Sequence, residues 1–404
     1  MSPDTAESAL RCPHETRCGG CSRLGVAPED QLRDKRDALR ELLSDTLPDD
    51  VPIGIHVPAS PPVHTRTKLA WPVRSGPGGR VRIGMFARGS HDLVPIDECQ
   101  LGDPALTSLQ KRTAEILERH GVPGYDEASH RGCVRAFHAR FVDGTSELLL
   151  GLTTTSLPHR GLEGAARDLW EAAADCVDRH GRPLRPVGVV RSVLDGPSNT
   201  LLGSEQHTLL GRDHLVEQID GLSIRVSFPS FYQSHRGADA LLFAPALAML
   251  GPVGPDDRVV DGYGGVGTFG LRLARAGAGR VELVESSPSS VQDARHNAAT
   301  NRLTNLHVIE APFGAARLAP DAQAVLVDPP RKGLGPDGVQ QVLHLGAPRV
   351  LYVSCGPKAL ARDLVPLLAG GYRVHAVQIA DLFPHTDHYE TLCLLERARG
   401  PVHA

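Results

Sequence analysis

The sequence predicts a two-part α/β protein: an N-terminal α+β unit over residues 1–222, then a doubly wound parallel sheet over residues 223–404. Three observations carry that reading. From Asp256 onward, short β-rich runs alternate with helical patterns, the rhythm of parallel strands joined by crossover helices. A glycine-rich turn follows the first of those strands and opens a helix, as in sheets that bind a nucleoside-type cofactor. At 404 residues the chain is long enough to bury more than one core.

In chain order, Pro28 to Leu43 reads as a charged helix, Gly76 to Gly79 as a hairpin turn, and Glu147 to Thr153 and Val187 to Val193 as strands. Gly221 to Phe228 is the last strand of this half, which sets the boundary near residue 222. Beyond it, Arg258 to Asp261, Arg280 to Glu285, Asn305 to Ala311, Ala324 to Asp328 and Arg349 to Cys355 read as strands. A helix from Pro357 to Leu368 follows, then two further strands, Arg373 to Ala380 and Tyr389 to Leu395.

Composition narrows the class without naming an activity. An apolar share of 41% with 22% charged residues fits a globular protein, and 42 Gly with 32 Pro implies many turns rather than disorder. A formal net charge of -4 excludes a global cationic field, so a nucleic-acid partner has to be held by a local basic surface. Met1 to Leu10 lacks the apolar stretch of an export signal, and no run of about 18 apolar residues occurs. The chain is therefore expected in the cytoplasm, off the membrane, as a monomer. Its eight cysteines are expected to be reduced thiols, metal ligands or catalytic groups rather than disulfides.

The turn from Asp261 to Gly270 places Tyr263, Gly264, Gly265 and Gly267 between strand and helix, where glycines allow close backbone approach to a ligand. Gly265, Gly267 and Gly270 also match the dinucleotide fingerprint, so a nicotinamide or flavin site is the first competitor. Glu285 ends the next strand, where a carboxylate accepts hydrogen bonds from ribose hydroxyls in either kind of site. The discriminating segments are Asp328-Pro329-Pro330-Arg331 and Ser354-Cys355-Gly356-Pro357, each at the carboxyl end of a strand and so facing the ligand crevice. Two prolines after Asp328 stiffen the backbone and remove two N–H donors, which suits a carboxylate aimed at a flat polar ring.

These segments, with Leu360-Ala-Arg-Asp and the run from Asp381 through His388-Tyr389-Glu390-Thr391, resemble the uracil-C5 RNA methyltransferase family. Phe231-Tyr232-Gln233 resembles the family's Phe-Phe-Gln segment. The resemblance implies a class I, Rossmann-like, seven-stranded methyltransferase domain using S-adenosyl-L-methionine. It implies that Cys355 attacks the base, that Glu390 removes the C5 proton, and that Gln233, Tyr263, Gly265, Gly267, Glu285 and Asp328 line the cofactor and uracil. The chain departs from the family pattern at Gly264, where Cys or Ser is usual, at His235 for Asn, at Gly356 for Asn, and at Ala311-Pro312 for a polar adenine contact.

The chemistry explains the residue types. Uracil C5 is a poor carbon nucleophile until a thiolate adds to C6, and the C5 proton must then be removed before the sulfur can leave. A free thiol titrates near ~8.5, so Cys355 needs a polar or cationic neighbour, which the sequence does not name. Cys133, Cys176 and Cys393 read as core thiols.

Cys12, Cys18 and Cys21, with Gly19-Gly20 as a flexible turn, can face one metal centre, and Cys99 is the best remaining fourth ligand. Spacing alone leaves zinc and iron-sulfur even. The ribosomal branch of the resembled family carries a 4Fe-4S cluster on such positions, which implies that cluster here and favours 23S rRNA over tRNA as substrate. With eleven residues ahead of Cys12, the extra OB-like RNA-binding module of many ribosomal members is not expected. Arg23, Arg33, Lys35, Arg36 and Arg40, then Arg66, Lys68, Arg74, Arg80, Arg82 and Arg88, offer a phosphate-tracking face, against the plainer reading of solvated charges. Two other classes compete: an iron-sulfur, NAD-dependent oxidoreductase and a noncatalytic RNA-binding module. Both leave Cys355 and Glu390 without a role.

Overall fold

Pro28 in the first turn, acids Glu29 and Asp30 beside it and Arg40 in the last turn complement the helix dipole of α1 (Pro28–Leu42). The computed structural model describes residues 10–57, 62–157, 159–198 and 200–397. Residues 1–9, most of the stretch that lacks an export signal, lie outside them. After α1 come β1 (Ile53–His56), β2 (Lys68–Ser75), β3 (Val81–Phe86), β4 (Leu93–Pro95), α2 (Pro104–Arg119), β5 (Val134–Phe141), β6 (Glu147–Thr154), α3 (Leu162–Ala174), β7 (Arg185–Val193), β8 (Glu205–Gly211), β9 (His214–Ile219) and β10 (Leu222–Ser227). The second half holds α4 (Ala244–Leu250), β11 (Arg258–Gly262), α5 (Thr268–Arg275), β12 (Arg280–Glu285), α6 (Pro288–Thr300), β13 (Leu306–Glu310), β14 (Ala324–Val327), α7 (Gly335–Leu345), β15 (Arg349–Ser354), α8 (Pro357–Ala369), β16 (Tyr372–Ala380) and β17 (Glu390–Arg397).

The first half forms a seven-stranded mixed sheet in the order β4-β3-β2-β5-β6-β7-β8, with β2 and β3 making the expected hairpin. β5 and β6 are buried along their whole length because α2 and α3 cover one face. On the other face Phe228 joins Leu149, Val190 and Leu215. Gly151 makes room for that ring, since a Cβ there would sit 2.3 Å from Phe228 Cε2.

The second sheet runs β1-β16-β17-β15-β14-β11-β12-β13. All pairings are parallel except those of β17, which is antiparallel to both β15 and β16. The expectation of seven strands is corrected to eight, because β1 adds along β16 with Ile53 opposite Val377. Four residues with one buried side chain gave little local signal for that distant pairing. Leu39, Leu43, Leu47 and Ile53 accordingly join the core of this second sheet, although they lie early in the chain.

The register of β17 sets the crevice. Ser354 pairs with Thr391, so the next residues, Cys355 and Glu390, come opposite each other at one edge of the sheet. Asp328 follows the last paired residue of β14 at that same edge. No helix among the described residues is long and apolar enough to cross a membrane.

Candidate active site

The loop after β11 is built around tight backbone turns. Tyr263 (φ 62), Gly265 (φ 55) and Gly267 (φ 99) all take left-handed conformations, which a tyrosine adopts only against steric cost. Gly265 N donates to Glu285 Oε2 at 2.9 Å, while Glu285 Oε1 accepts from Ser286 N and Ser287 N, each at 2.7 Å. Glu285 is thus oriented by the loop it was expected to serve. The room that a Cys or Ser would need at position 264 is taken by Leu283: a Cβ on Gly264 would lie 2.4 Å from its Cγ.

A residue that sequence reasoning passed over lies at the root of this loop. Asp261 is 1% exposed, and its carboxyl has no side-chain partner among the described residues, only the backbone N–H of Gly270 beside it. Burial pushes its carboxyl up to about 8; the Gly270 N–H pulls the other way, and Asp328 and Glu285 raise it further. The available signal was an acid at a buried position after Val259 and Val260.

The next acids continue the row. Glu390 is buried, its Oε2 has no partner among the described residues, and its pKa is raised to about 8 by desolvation and then by Asp328. The Gln233 side chain and Arg331 oppose that rise. Desolvation also raises Asp328. Two carboxyls sharing one crevice therefore retain a proton near neutrality.

Cys355 is half-buried, and its thiol is pushed up to about 11 by desolvation, Glu390 and Asp328, with Arg331 lowering it. Arg331 is the cationic neighbour that the sequence did not name. Its backbone leans on Gly356, where a Cβ would meet Arg331 O at 2.5 Å, and this accounts for glycine in place of asparagine. The loop between them is fixed by Asp363, whose Oδ2 accepts from Leu334 N at 2.7 Å and Tyr352 Oη at 2.9 Å.

Gln233 is delivered by a different device. The polar face of α6 zips onto β10: Asn301 Oδ1 accepts from Ser223 N, Asn297 Oδ1 from Arg225 N, and Asp293 from Ser227 N, Ser227 Oγ and Ser230 Oγ, at 2.7–2.9 Å. These bonds anchor the chain just ahead of Phe231-Tyr232-Gln233. Beside Gln233 lies a cavity of about 270 Å³ whose lining includes Thr67, Glu217, Tyr232 and His235 but neither Cys355 nor Glu390.

Comparison with known proteins decides the lineage. Residues 249–398 match the family described as tRNA (Uracil-5-)-methyltransferase. The chain is 35% identical over 390 residues to an uncharacterized RNA methyltransferase of Gloeobacter violaceus, covering 96% of this chain and 82% of that protein. It is 30% identical to another of Halalkalibacterium halodurans, covering 98% and 84%. The chain belongs to the uracil-C5 RNA methyltransferase family. Among solved structures it is similar to the Pyrococcus abyssi tRNA (uracil-54, C5)-methyltransferase in complex with S-adenosyl-L-homocysteine, with a TM-score of 0.75 and 23% identity over 93% of this chain and 85% of that one. That likeness bears out the α/β methyltransferase fold.

A uracil-C5 RNA methyltransferase dependent on S-adenosylmethionine needs a seat for a cofactor with a sulfonium and an ammonium group. The buried carboxylate of Asp261, without a side-chain partner among the described residues and with Glu285 and Asp328 in reach, fits such a cation.

The N-terminal cysteines are less decided. Among the described residues, no group of three or more His, Cys, Asp or Glu side chains is gathered as a metal site. Yet Cys12, Cys18, Cys21 and Cys99 share one region, since desolvation and then the neighbouring thiols raise Cys21 to about 12. Cys18 Sγ accepts from Gly20 N and Cys99 Sγ from Gly102 N, each at 3.4 Å. Cys133, Cys176 and Cys393 are buried.

The expected phosphate-tracking face is corrected along α1. Arg23 pairs with Asp34 and Asp387, Arg33 with Asp30 and Arg36 with Asp37; Lys35 is buried against Asp381, and Arg40 caps backbone carbonyls. Arg74 pairs with Glu127. These charges neutralise acids of the fold itself.

Proposed function

We propose that the protein methylates C5 of a uridine in 23S rRNA, rather than in tRNA, through a covalent bond between Cys355 and C6 of the base. The observation that supports the chemistry is the register of β15 and β17, which brings Cys355 opposite Glu390 near Asp328; the four N-terminal cysteines support rRNA over tRNA. When bound, S-adenosylmethionine supplies an electrophilic methyl group; Asp261, Tyr263, Gly265, Gly267, Glu285, Asp328 and Gln233 are the residues to hold it and the uracil edge. Cys355 as thiolate adds to C6 and makes C5 nucleophilic. Once C5 carries the methyl group, the Glu390 carboxylate takes the C5 proton, the C5=C6 bond re-forms and the C6–S bond breaks.

Exposed Phe231, two residues before Gln233, supports stacking of a flipped base. Lys68 and Arg140 support a phosphate contact. They line a cavity of about 150 Å³ with His138 and without an acid, and Arg140 together with burial pulls Lys68 down to about 7. Four neighbouring thiols, two of them with N–H···S contacts, suit a 4Fe-4S cluster on Cys12, Cys18, Cys21 and Cys99 that staples the N-terminal strand and the Cys99 segment into an RNA-binding surface of the unit 1–222, ahead of the methyltransferase unit, residues 223–404.

The test is mass mapping of 5-methyluridine in rRNA and tRNA from cells with and without the gene, complemented by wild type or Cys355→Ala. Loss from large-subunit rRNA that only wild type restores is expected. Loss from tRNA alone overturns the substrate, and restoration by Cys355→Ala overturns the nucleophile. Iron and acid-labile sulfide in anaerobically purified protein test the cluster, and zinc in their place overturns it.

A further inference from the structure

The residues that follow Cys21 grip the loop in front of Glu390. Ser22 Oγ donates to Asp387 Oδ2 at 2.7 Å, and Asp387 N donates back to Ser22 Oγ at 3.1 Å. Arg23 N donates to His385 O at 2.9 Å, and its guanidinium meets Asp387 Oδ1 at 3.4 Å. From α1, Gln31 Oε1 accepts from His385 N at 2.8 Å, and the buried ammonium of Lys35 donates to Asp381 Oδ1 at 2.9 Å and Phe383 O at 3.2 Å.

This grip holds a conformation the loop does not favour by itself. His385 sits at φ 62, a left-handed geometry that a non-glycine residue adopts only against steric cost. The loop spans residues 381–389, between the end of β16 and the first residue of β17, which is Glu390 itself. Cys355 and Asp328 follow directly on β15 and β14, and Glu390 opens β17 opposite Ala380. The stretch leading into Glu390 is thus held from outside the sheet, by the segment that carries three of the N-terminal cysteines.

We propose that the clasp of Ser22 and Arg23 on Asp387 and His385, backed by Gln31 and Lys35, positions Glu390 for removal of the C5 proton. On the reading of Cys355 and Glu390 given above, the clasp governs the second half of the reaction: the proton passes from C5 to Glu390, its electron pair forms C5=C6, and the C6–S pair returns to Cys355. Thiolate addition and methyl entry do not need the loop. These residues are positioning residues, since none of them reaches the base.

Single-turnover reactions with methyl-labelled S-adenosylmethionine and an RNA that wild type methylates, quenched in detergent, separate protein-bound label from free RNA label. In Ser22→Ala and Asp387→Ala, methyl entry stays within about twofold of wild type, while the protein-bound methylated RNA persists on the order of tenfold longer. Asp387→Glu brings its lifetime back toward wild type. An unchanged lifetime overturns the clasp, as does a parallel slowing of methyl entry and release. S-adenosylhomocysteine affinity and thermal midpoint are read on each variant, and Ser22→Ala, which removes one hydroxyl, serves if Asp387→Ala does not fold. Glu390→Gln runs alongside: a trapped adduct there with normal release in the clasp variants defeats the clasp alone, whereas no trapped adduct defeats the base assignment beneath it.

Discussion

Replacing Glu390 by Gln should make Cys355 more reactive and, with Glu390 as the proposed base, should stop turnover. Ionised Glu390 is the largest electrostatic cause, after burial, that holds the thiol up at about 11, but Glu390 itself titrates near 8. Two unit charges about 4 Å apart in a medium of effective dielectric about 20 interact by about 4 kcal/mol, an upper bound for a half-buried thiol. A screened value of about 1.4 kcal/mol equals one pKa unit and a tenfold change in thiolate fraction. Lower basicity costs nucleophilicity with a Brønsted slope of about 0.4–0.5, so the net gain in alkylation rate is roughly threefold. The gain requires a charged Glu390, so wild type and Glu390→Gln should alkylate alike at pH 6.5 and diverge above pH 8.5. The assay is iodoacetamide labelling followed by mass spectrometry of the peptide containing Cys355, which sets aside the other thiols. Equal rates at pH 9.5, or a slower variant there, would refute the electrostatic link between the two groups.

Arg331→Gln works in the opposite direction, removing the cation that lowers both groups, and should slow the same labelling severalfold while Arg331→Lys preserves it. Asp261 has its folded pKa raised to about 8, above its unfolded value near ~3.9, so the native state holds the extra proton and stability falls as pH rises between those limits. Asp261→Asn should therefore melt higher than wild type at pH 8.5, with the difference shrinking toward pH 5, when followed by differential scanning calorimetry without cofactor. A cationic cofactor draws the proton off, so S-adenosylmethionine should bind wild type more tightly from pH 6 to 8 and with proton release, and Asp261→Asn should lose about tenfold in affinity and most of that pH dependence by titration calorimetry in two buffers. Gly264→Ala, which drives a Cβ to 2.4 Å from Leu283 Cγ, should cost about 1–3 kcal/mol of stability in urea unfolding.

What the sequence made legible were the features written in short stretches. The parallel strands were visible because Val, Leu and Ala runs are buried on both faces, and their ends fell within a residue or two of the observed β11 to β16. Cys355, Glu390 and Asp328 were readable as motifs at strand ends. Their mutual placement was not, since it depends on β17 inserting antiparallel between β15 and β16, a choice made by tertiary packing. Arg331 escaped notice as the thiol's neighbour because its approach depends on the missing side chain of Gly356. The basic residues of α1 misled because charge in a sequence does not reveal its partner: Lys35 reads as a surface lysine and is 3% exposed against Asp381.

The pairing of Ile53 with Val377 ties together two strands separated by most of the described chain. Contacts so remote along the polymer are slow to form, because a long closure must precede any gain from them. The outer margin of β16 therefore stays bare until the distant β1 docks on it. Trimming the leading sixty residues to obtain a minimal catalytic fragment would leave that margin open to pairing with neighbouring molecules, and insoluble material is the outcome to expect.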